Sequence, residues 1–342
     1  MRIVAVDVLG GDFGAEPNVK GAVRAVRENP EIRVLLVGDQ EIIRSQLAQY
    51  DLDGIENRLE TVHTSQVIEM EDEPVSACRE KPDSGIVKCA ELVKAGLADA
   101  FLSAGNSGAV MVASFLKLGR LKGVSRPAIA TALPTLKGYT IVLDAGANAE
   151  CKPHQLVEFA VMGAEYARAV LNKTNPTIGI ISMGEEETKG NTLVKETIPL
   201  LKKSGLNYVG PIEGRDIPYG KVDVAVCDGF TGNVVLKVCE GLSKALFTLL
   251  KQQMAGKPVA AIGLTMAKSA FKKLKAKTDP DHVGGAPLLG VNGNVIIAHG
   301  SSSDFAIYNA IKTAVALADN KAGEGITAAL AKIEQLAAAE PK

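Results

Sequence analysis

The chain of 342 residues sets 38 Lys plus Arg against 39 Asp plus Glu, for a formal charge of -1, and 46% of it is apolar. That length can bury a large core as one α/β unit or two lobes, and so even a charge balance supplies no global field for nucleic acid or a strongly acidic partner. The first apolar run, residues 3–6, stops at Asp7, and no uncharged stretch reaches about 18 residues, so a cytoplasmic protein is expected, neither secreted nor membrane-spanning.

Short β-rich runs alternate with helical patterns. Strands are predicted at 2–6, 33–37, 100–103, 140–143, 177–181, 222–227 and 295–298, each followed by a helix, at 18–28, 40–47, 106–118, 153–171, 191–204, 233–254 and 304–320 respectively. An Ala-rich helix closes the chain. Repeated βα units predict a three-layer αβα fold with a mostly parallel sheet. No repeat, linker or low-complexity block divides residues 1–342, which are taken as one unit with room for two lobes. In such sheets ligands bind beyond the carboxyl ends of the strands, and the Gly-rich turns of this chain are expected together on that one edge.

One segment breaks the alternation. Over 234–277, Gly256-Lys257-Pro258 separates two helical patterns with no strand between them, which predicts a projecting helical hairpin. Val235, Val238, Leu242, Leu246 and Leu249 form an apolar stripe on the first arm, and Val259, Ile262, Met266, Ala270 and Leu274 form one on the second. Each stripe needs an apolar cover. The second arm also carries Lys257, Lys268, Lys272, Lys273, Lys275 and Lys277 with no acid before Asp279. Its basic face suits either plain solvation beside a dimer seam or contact with an anionic membrane or an acidic carrier protein.

Five Gly/Asn/Ser turns carry the candidate chemistry: Gly10-Gly11-Asp12, Ser103 to Gly108, Leu143 to Asn148, Gly184 to Asn191, and Asp228 to Asn233. The last is the most informative, because an apolar strand delivers a carboxylate and two glycines straight into a helix start, where anions bind. Lys189 with the amides before Asn191 could gather a phosphate, although Asn191 is also a good helix cap. Asp228 reads as a general base, a lysine-orienting charge or a cap. His299, in His299-Gly300-Ser301-Ser302-Ser303-Asp304, could polarise a carbonyl or be structural. The first turn fails GxGxxG spacing, and Gly256-Lys257 precedes Pro258, so neither a dinucleotide fingerprint nor a Walker A loop is present. The cysteines, 78, 89, 151, 227 and 239, form no CxxC pair, and the histidines form no HExxH, so no metal and no cofactor is expected. Cys151 with His154 is a weak candidate for a thiol nucleophile against the commoner buried cysteine.

These stretches, with Arg126-Pro127-Ala128-Ile129, Glu213 to Ile217 and Gly284 to Gly290, resemble the phosphate acyltransferases of bacterial phospholipid synthesis, the PlsX type. The resemblance implies transfer of a long-chain acyl group from the acyl carrier protein thioester to inorganic phosphate, giving acyl phosphate for a membrane-bound glycerol-3-phosphate acyltransferase. It also implies a homodimer, an isocitrate/isopropylmalate dehydrogenase-like fold and work at the inner face of the cell membrane. Val8-Leu9, Phe13, Ser107 and Val283 depart from the usual pattern of that family.

On this reading phosphate needs positioning more than deprotonation, and direct attack on the thioester needs no covalent intermediate. Lys189, Asn191 and the Gly10 and Gly11 amides are expected to hold phosphate. Asn106, Ser107 and Asn233 are expected to serve the oxyanion or pantetheine, and Asp228 or His299 the proton. Asp12, Gly108, Asn148, Gly232, Gly284, Gly285 and Ser301 complete the expected substrate surface. The alternatives are an acyl-CoA phosphotransacetylase and a non-catalytic scaffold for acylated carrier protein.

Overall fold

The computed structural model describes residues 1–254, 266–278 and 280–339. The elements run β1 (Arg2–Asp7), α1 (Ala15–Glu28), β2 (Ile32–Gly38), α2 (Gln40–Leu47), β3 (Leu59–His63), α3 (Pro74–Glu80), α4 (Gly85–Lys94), β4 (Ala100–Ser103) and α5 (Ser107–Lys117). They continue through β5 (Ala128–Thr135), β6 (Gly138–Leu143), α6 (Pro153–Leu171), β7 (Ile178–Ser182), α7 (Thr192–Lys203), β8 (Tyr208–Glu213) and β9 (Val224–Val226). The remainder is α8 (Gly229–Met254), α9 (Lys268–Thr278), β10 (Ala286–Leu289), β11 (Asn294–Ile297), α10 (Asp304–Asp319) and α11 (Ala322–Ala339).

All the strands join one sheet in the order β3-β2-β1-β4-β11-β10-β5-β6-β9-β7-β8. Both faces are covered, and β1 shows how: Val4 and Val6 enter one core while Ala5, between them, enters another. The period-2 alternation of a strand therefore reads as an unbroken apolar run. α1, α6, α10 and α11 contribute to the core on one face, and α3, α4 and α5 to the core on the other. α6 runs beneath the centre of the sheet and supplies Leu156, Phe159, Met162 and Tyr166, all essentially inaccessible. Polar caps fix where helices begin: Asp39, Asn106, Asn191 and Ser303 each accept an N–H from the first turn that follows.

The three-layer, mostly parallel architecture matches the sequence expectation. Its strand directions do not. β10 pairs antiparallel with both β11 and β5, and β5 pairs antiparallel with β6 across the short Leu136-Lys137 connection. Strand direction consequently reverses in mid-sheet: β1, β4 and β11 end on one edge, and β6, β9 and β7 on the other. Each Gly-rich turn does follow the carboxyl end of its strand, but the turns form two sets rather than one.

Six elements went unpredicted from the sequence, namely β3, α3, α4, β5, β8 and β10. All but α4 are short or carry prolines, and β5 and β10 are the two that reverse the sheet. The Gly256-Lys257-Pro258 turn of the predicted hairpin lies outside the described residues. Among the described residues no helix is long and apolar enough to cross a membrane.

Candidate active site

Three turns follow the adjacent strands β6, β9 and β7 and make up the first set. The chain leaves β6 at Asp144, a wholly buried carboxylate. One oxygen, Oδ1, accepts the backbone N–H groups of Ile129, Gly146 and Ala147 at 3.0, 3.2 and 3.0 Å. The other, Oδ2, accepts Asn148 N–H at 2.7 Å and Asn148 Nδ2 at 2.9 Å. Burial pushes this carboxyl upward, and the donors around it hold it back towards the ionised form. Asn148, expected to touch substrate, is buried, and its amide also donates to Pro127 O at 2.8 Å. Its side chain serves the turn.

The start of α8 rests on this turn. Gly229 N–H donates to Asn148 O at 2.8 Å, and a Cβ on Gly232 would lie 1.9 Å from the Asp144 carbonyl oxygen. Only hydrogen fits there, which accounts for glycine at 232 as a packing requirement. Asp228 spends both carboxylate oxygens on Thr231, accepting its N–H at 2.8 Å and its hydroxyl at 2.9 Å, so of its three expected roles the cap is the one the geometry displays. Asn233 is exposed, one turn into α8, with its side chain over Gly146. The first turn of α8 contains no acid, and the Asp228 carboxylate that caps it sits at its positive dipole end.

After β7, Gly190 takes φ 103°, a left-handed conformation that favours glycine, and Asn191 caps α7 by accepting Val194 N–H at 2.9 Å. Lys189 is 54% exposed, with Nζ 3.9 Å from Glu186, so the ammonium is loosely paired and available. Arg126, just before β5, is exposed and makes no ion pair among the described residues. Its charge also reaches Cys151.

The second set lies beyond β1, β4 and β11. Asp12 N–H donates to Gly300 O at 2.8 Å, which joins the Gly10-Gly11 turn to the His299-to-Ser303 turn. Under them Asp7 is buried and accepts Ser103 Oγ at 2.7 Å together with Leu9 N–H, while Ser103 Oγ accepts Gly105 N–H at 3.0 Å. Burial raises the Asp7 carboxyl to about 6. The His299 ring accepts Ser301 N–H at Nδ1, 3.1 Å away, and lies 2.8 Å from Ser301 Oγ, so the neutral ring carries its proton on the exposed Nε2. Ser107, the first residue of α5, is exposed as well.

Asn106 is not free for substrate. Its carbonyl caps α5 through Ala109 N–H, and its amide donates to the carbonyls of Glu69, Met70 and Asp72 at 3.0 to 3.2 Å. Gly108 packs against Pro74, and Gly284 against the α10 backbone at Asn309 and Ala310. Gly285 abuts Ile296 and Ile297 on β11. These glycines allow close packing. No hydrogen bond among the described residues joins the two sets.

The thiols point away from nucleophilic catalysis. Burial raises Cys151 to about 11 and Cys227 well above the usual thiol value. His154 is exposed on α6 and makes no hydrogen bond to Cys151. Among the described residues no group of three or more His, Cys, Asp or Glu could hold a metal ion.

Sequence reasoning passed over Asp144 and Asp7 as functional candidates. For Asp144 the signal was present, since it stands where an apolar strand runs out into small residues, the same grammar that singled out Asp228; Asp7 is followed by Val8 and Leu9 and had only its place at a strand end.

The fold is that of the phosphotransacetylases. A phosphotransacetylase from Streptococcus pyogenes superposes with a TM-score of 0.63 at 18% identity, covering 93% of this chain and 94% of that one. EutD phosphotransacetylase from Staphylococcus aureus gives 0.62 at 17% over the same shares. A 4-hydroxythreonine-4-phosphate dehydrogenase from Klebsiella pneumoniae shares the fold at a TM-score of 0.53 and 14% identity, covering 93% of this chain and 99% of that one. At the sequence level, the phosphate acyltransferase of Elusimicrobium minutum is 52% identical over 320 residues, 94% of this chain and 93% of the relative. That of Pelotomaculum thermopropionicum is 48% identical over 331 residues, 97% of this chain and 96% of the relative. A family model described as fatty acid synthesis protein matches residues 1–324. The chain belongs to that family, and it is an acyltransferase enzyme.

Proposed function

We propose that this enzyme transfers a long-chain acyl group from the thioester of acyl carrier protein to inorganic phosphate, forming acyl phosphate. The observation that carries this reading is the near-half identity, across almost the whole chain, to proteins named phosphate acyltransferase. Phosphate attacks the thioester carbonyl directly, and the pantetheine thiolate leaves. In this reading Lys189 and the positive end of the α8 dipole hold the phosphate, Asn233 steadies the oxyanion, and Asp228 orders the turn that presents both. Cys151 and Cys227 take no part, because their raised thiols supply almost no thiolate near neutral pH.

The preference for a carrier protein over acyl-CoA draws support from α8, which begins in the candidate site and carries its apolar stripe outward. Val238, Leu242, Leu246 and Leu249 are each more than half exposed, and Lys268, Lys272, Lys273 and Lys277 on α9 are exposed too. An apolar stripe on one helix and a basic face on another suit an acyl chain arriving on an acidic carrier, a second copy of this chain, or the anionic inner surface of the cell membrane where a membrane-bound glycerol-3-phosphate acyltransferase would take the product. The reading therefore includes a homodimer with peripheral membrane association.

The test is incubation with palmitoyl carrier protein, with and without phosphate, measuring acyl phosphate and released carrier thiol. Phosphate-dependent formation of both is expected, and turnover with palmitoyl-CoA alone would transfer the reading to an acyl-CoA phosphotransacetylase. Lys189→Ala and His299→Ala then divide the two sets of turns. Loss in both variants puts both sets around one substrate, and loss in Lys189→Ala alone keeps the chemistry beside α8.

A further inference from the structure

We infer that Asp144 is a positioning residue of the reaction, holding the start of α8 in its working geometry without touching substrate. The inference rests on the acyl-to-phosphate reading above. A buried carboxylate is costly to keep unless every lone pair finds a donor, and here five N–H groups converge on one side chain. Those donors come from the start of β5 and from each residue of the turn at 146–148. One side chain thus holds the 146–148 turn and ties it to the start of β5, beside the backbone bond from Ala145 N–H to Ile129 O.

The clamp continues into α8 by contact. The Asp144 carbonyl oxygen lies where a Cβ of Gly232 would be, its Oδ2 is 2.7 Å from where a Cβ of Gly229 would be, and Asn148 O receives Gly229 N–H. Asn233, the proposed oxyanion partner, sits over Gly146, whose amide is one of the five. A shift of the 146–148 turn must therefore move Gly229, Gly232 and Asn233 with it. Because the side chain is wholly buried, it can act only through these neighbours. Displacements well under 1 Å at reacting groups are costly in rate, so the effect belongs in turnover.

Asp144→Asn replaces one acceptor oxygen with an NH2 that faces N–H donors, and it leaves side-chain volume nearly unchanged. Wild-type protein is assayed first with palmitoyl carrier protein and phosphate, since absence of acyl phosphate there refutes the proposed function and says nothing about Asp144. With wild-type turnover in hand, the expected result for Asp144→Asn, measured on protein shown to be folded by near-UV circular dichroism, is a fall in kcat of a hundredfold or more with KM for the carrier changed less than threefold. Amide hydrogen exchange at Gly146 and Ala147 should speed up at least tenfold.

Should Asp144→Asn fail to fold, Asn148→Ala removes a single donor from Oδ2 and keeps the backbone one. A tenfold loss of kcat with faster exchange at Gly146 supports the inference. In whichever variant is folded, kcat within twofold of wild type, or loss confined to thermal stability, overturns it.

Discussion

Asp7 gives a stability prediction whose size follows from its surroundings. The carboxyl is fully buried at the end of β1, and burial lifts it from 3.8 to about 6. A carboxyl that holds its proton more tightly in the folded than in the unfolded chain stabilises the fold while protonated. That contribution is complete below the unfolded value of 3.8 and is lost as pH rises through about 6. At about 1.36 kcal/mol per unit, the loss amounts to about 3 kcal/mol. Half-buried carboxylates such as Asp72, Asp83 and Asp216 are shifted downward and act in the opposite sense, so the pH profile of wild type alone mixes the two effects. Asp7→Asn isolates the first, because the others remain. Urea unfolding of both proteins from pH 4 to pH 7 should show the stability of the variant, relative to wild type, rising by about 2.4 kcal/mol, since part of the loss has already occurred by pH 4. A difference that stays constant with pH would mean that Asp7 titrates in the folded chain as it does in the unfolded one, and the argument from burial would fail.

Four other outcomes are expected. Gly232→Ala drives a methyl to 1.9 Å from the Asp144 carbonyl oxygen and should cost about 3 kcal/mol or more of stability, visible as a drop in thermal midpoint; a midpoint within a degree of wild type would contradict the packing. Lys189→Ala should raise KM for phosphate at least tenfold with KM for the carrier little changed, and unchanged phosphate dependence would remove Lys189 from the anion site. Cys151→Ser and Cys227→Ala should each keep turnover within about threefold, and iodoacetamide at pH 7 should not inactivate the wild-type enzyme, since burial raises both thiols. Leu242→Ser with Leu246→Ser should leave the thermal midpoint within a few degrees, both side chains being exposed, while weakening flotation with anionic vesicles or self-association in sedimentation; if neither changes, the stripe has another role.

Much of the molecule was legible in the sequence because local physics suffices for it. Strongly apolar strands such as β1 and β2 and the long patterned helices α6 and α10 announce themselves through burial period and caps, as do the turns between them. Asp228 and Asn191 were legible as caps for the same reason, since a cap bonds within three residues of itself. Two things needed the tertiary structure. The reversal of the sheet depends on β10, four residues around Pro287 that have no strand signal of their own and exist only because β11 and β5 flank them. The clamp on Asp144 depends on Ile129, a partner 15 residues away, and on contact with α8, more than 80 residues further along the chain. Sequence reading sees what a residue does to its neighbours in the chain; Asn106 and Asn148 looked free for substrate until the fold brought distant carbonyls to meet them.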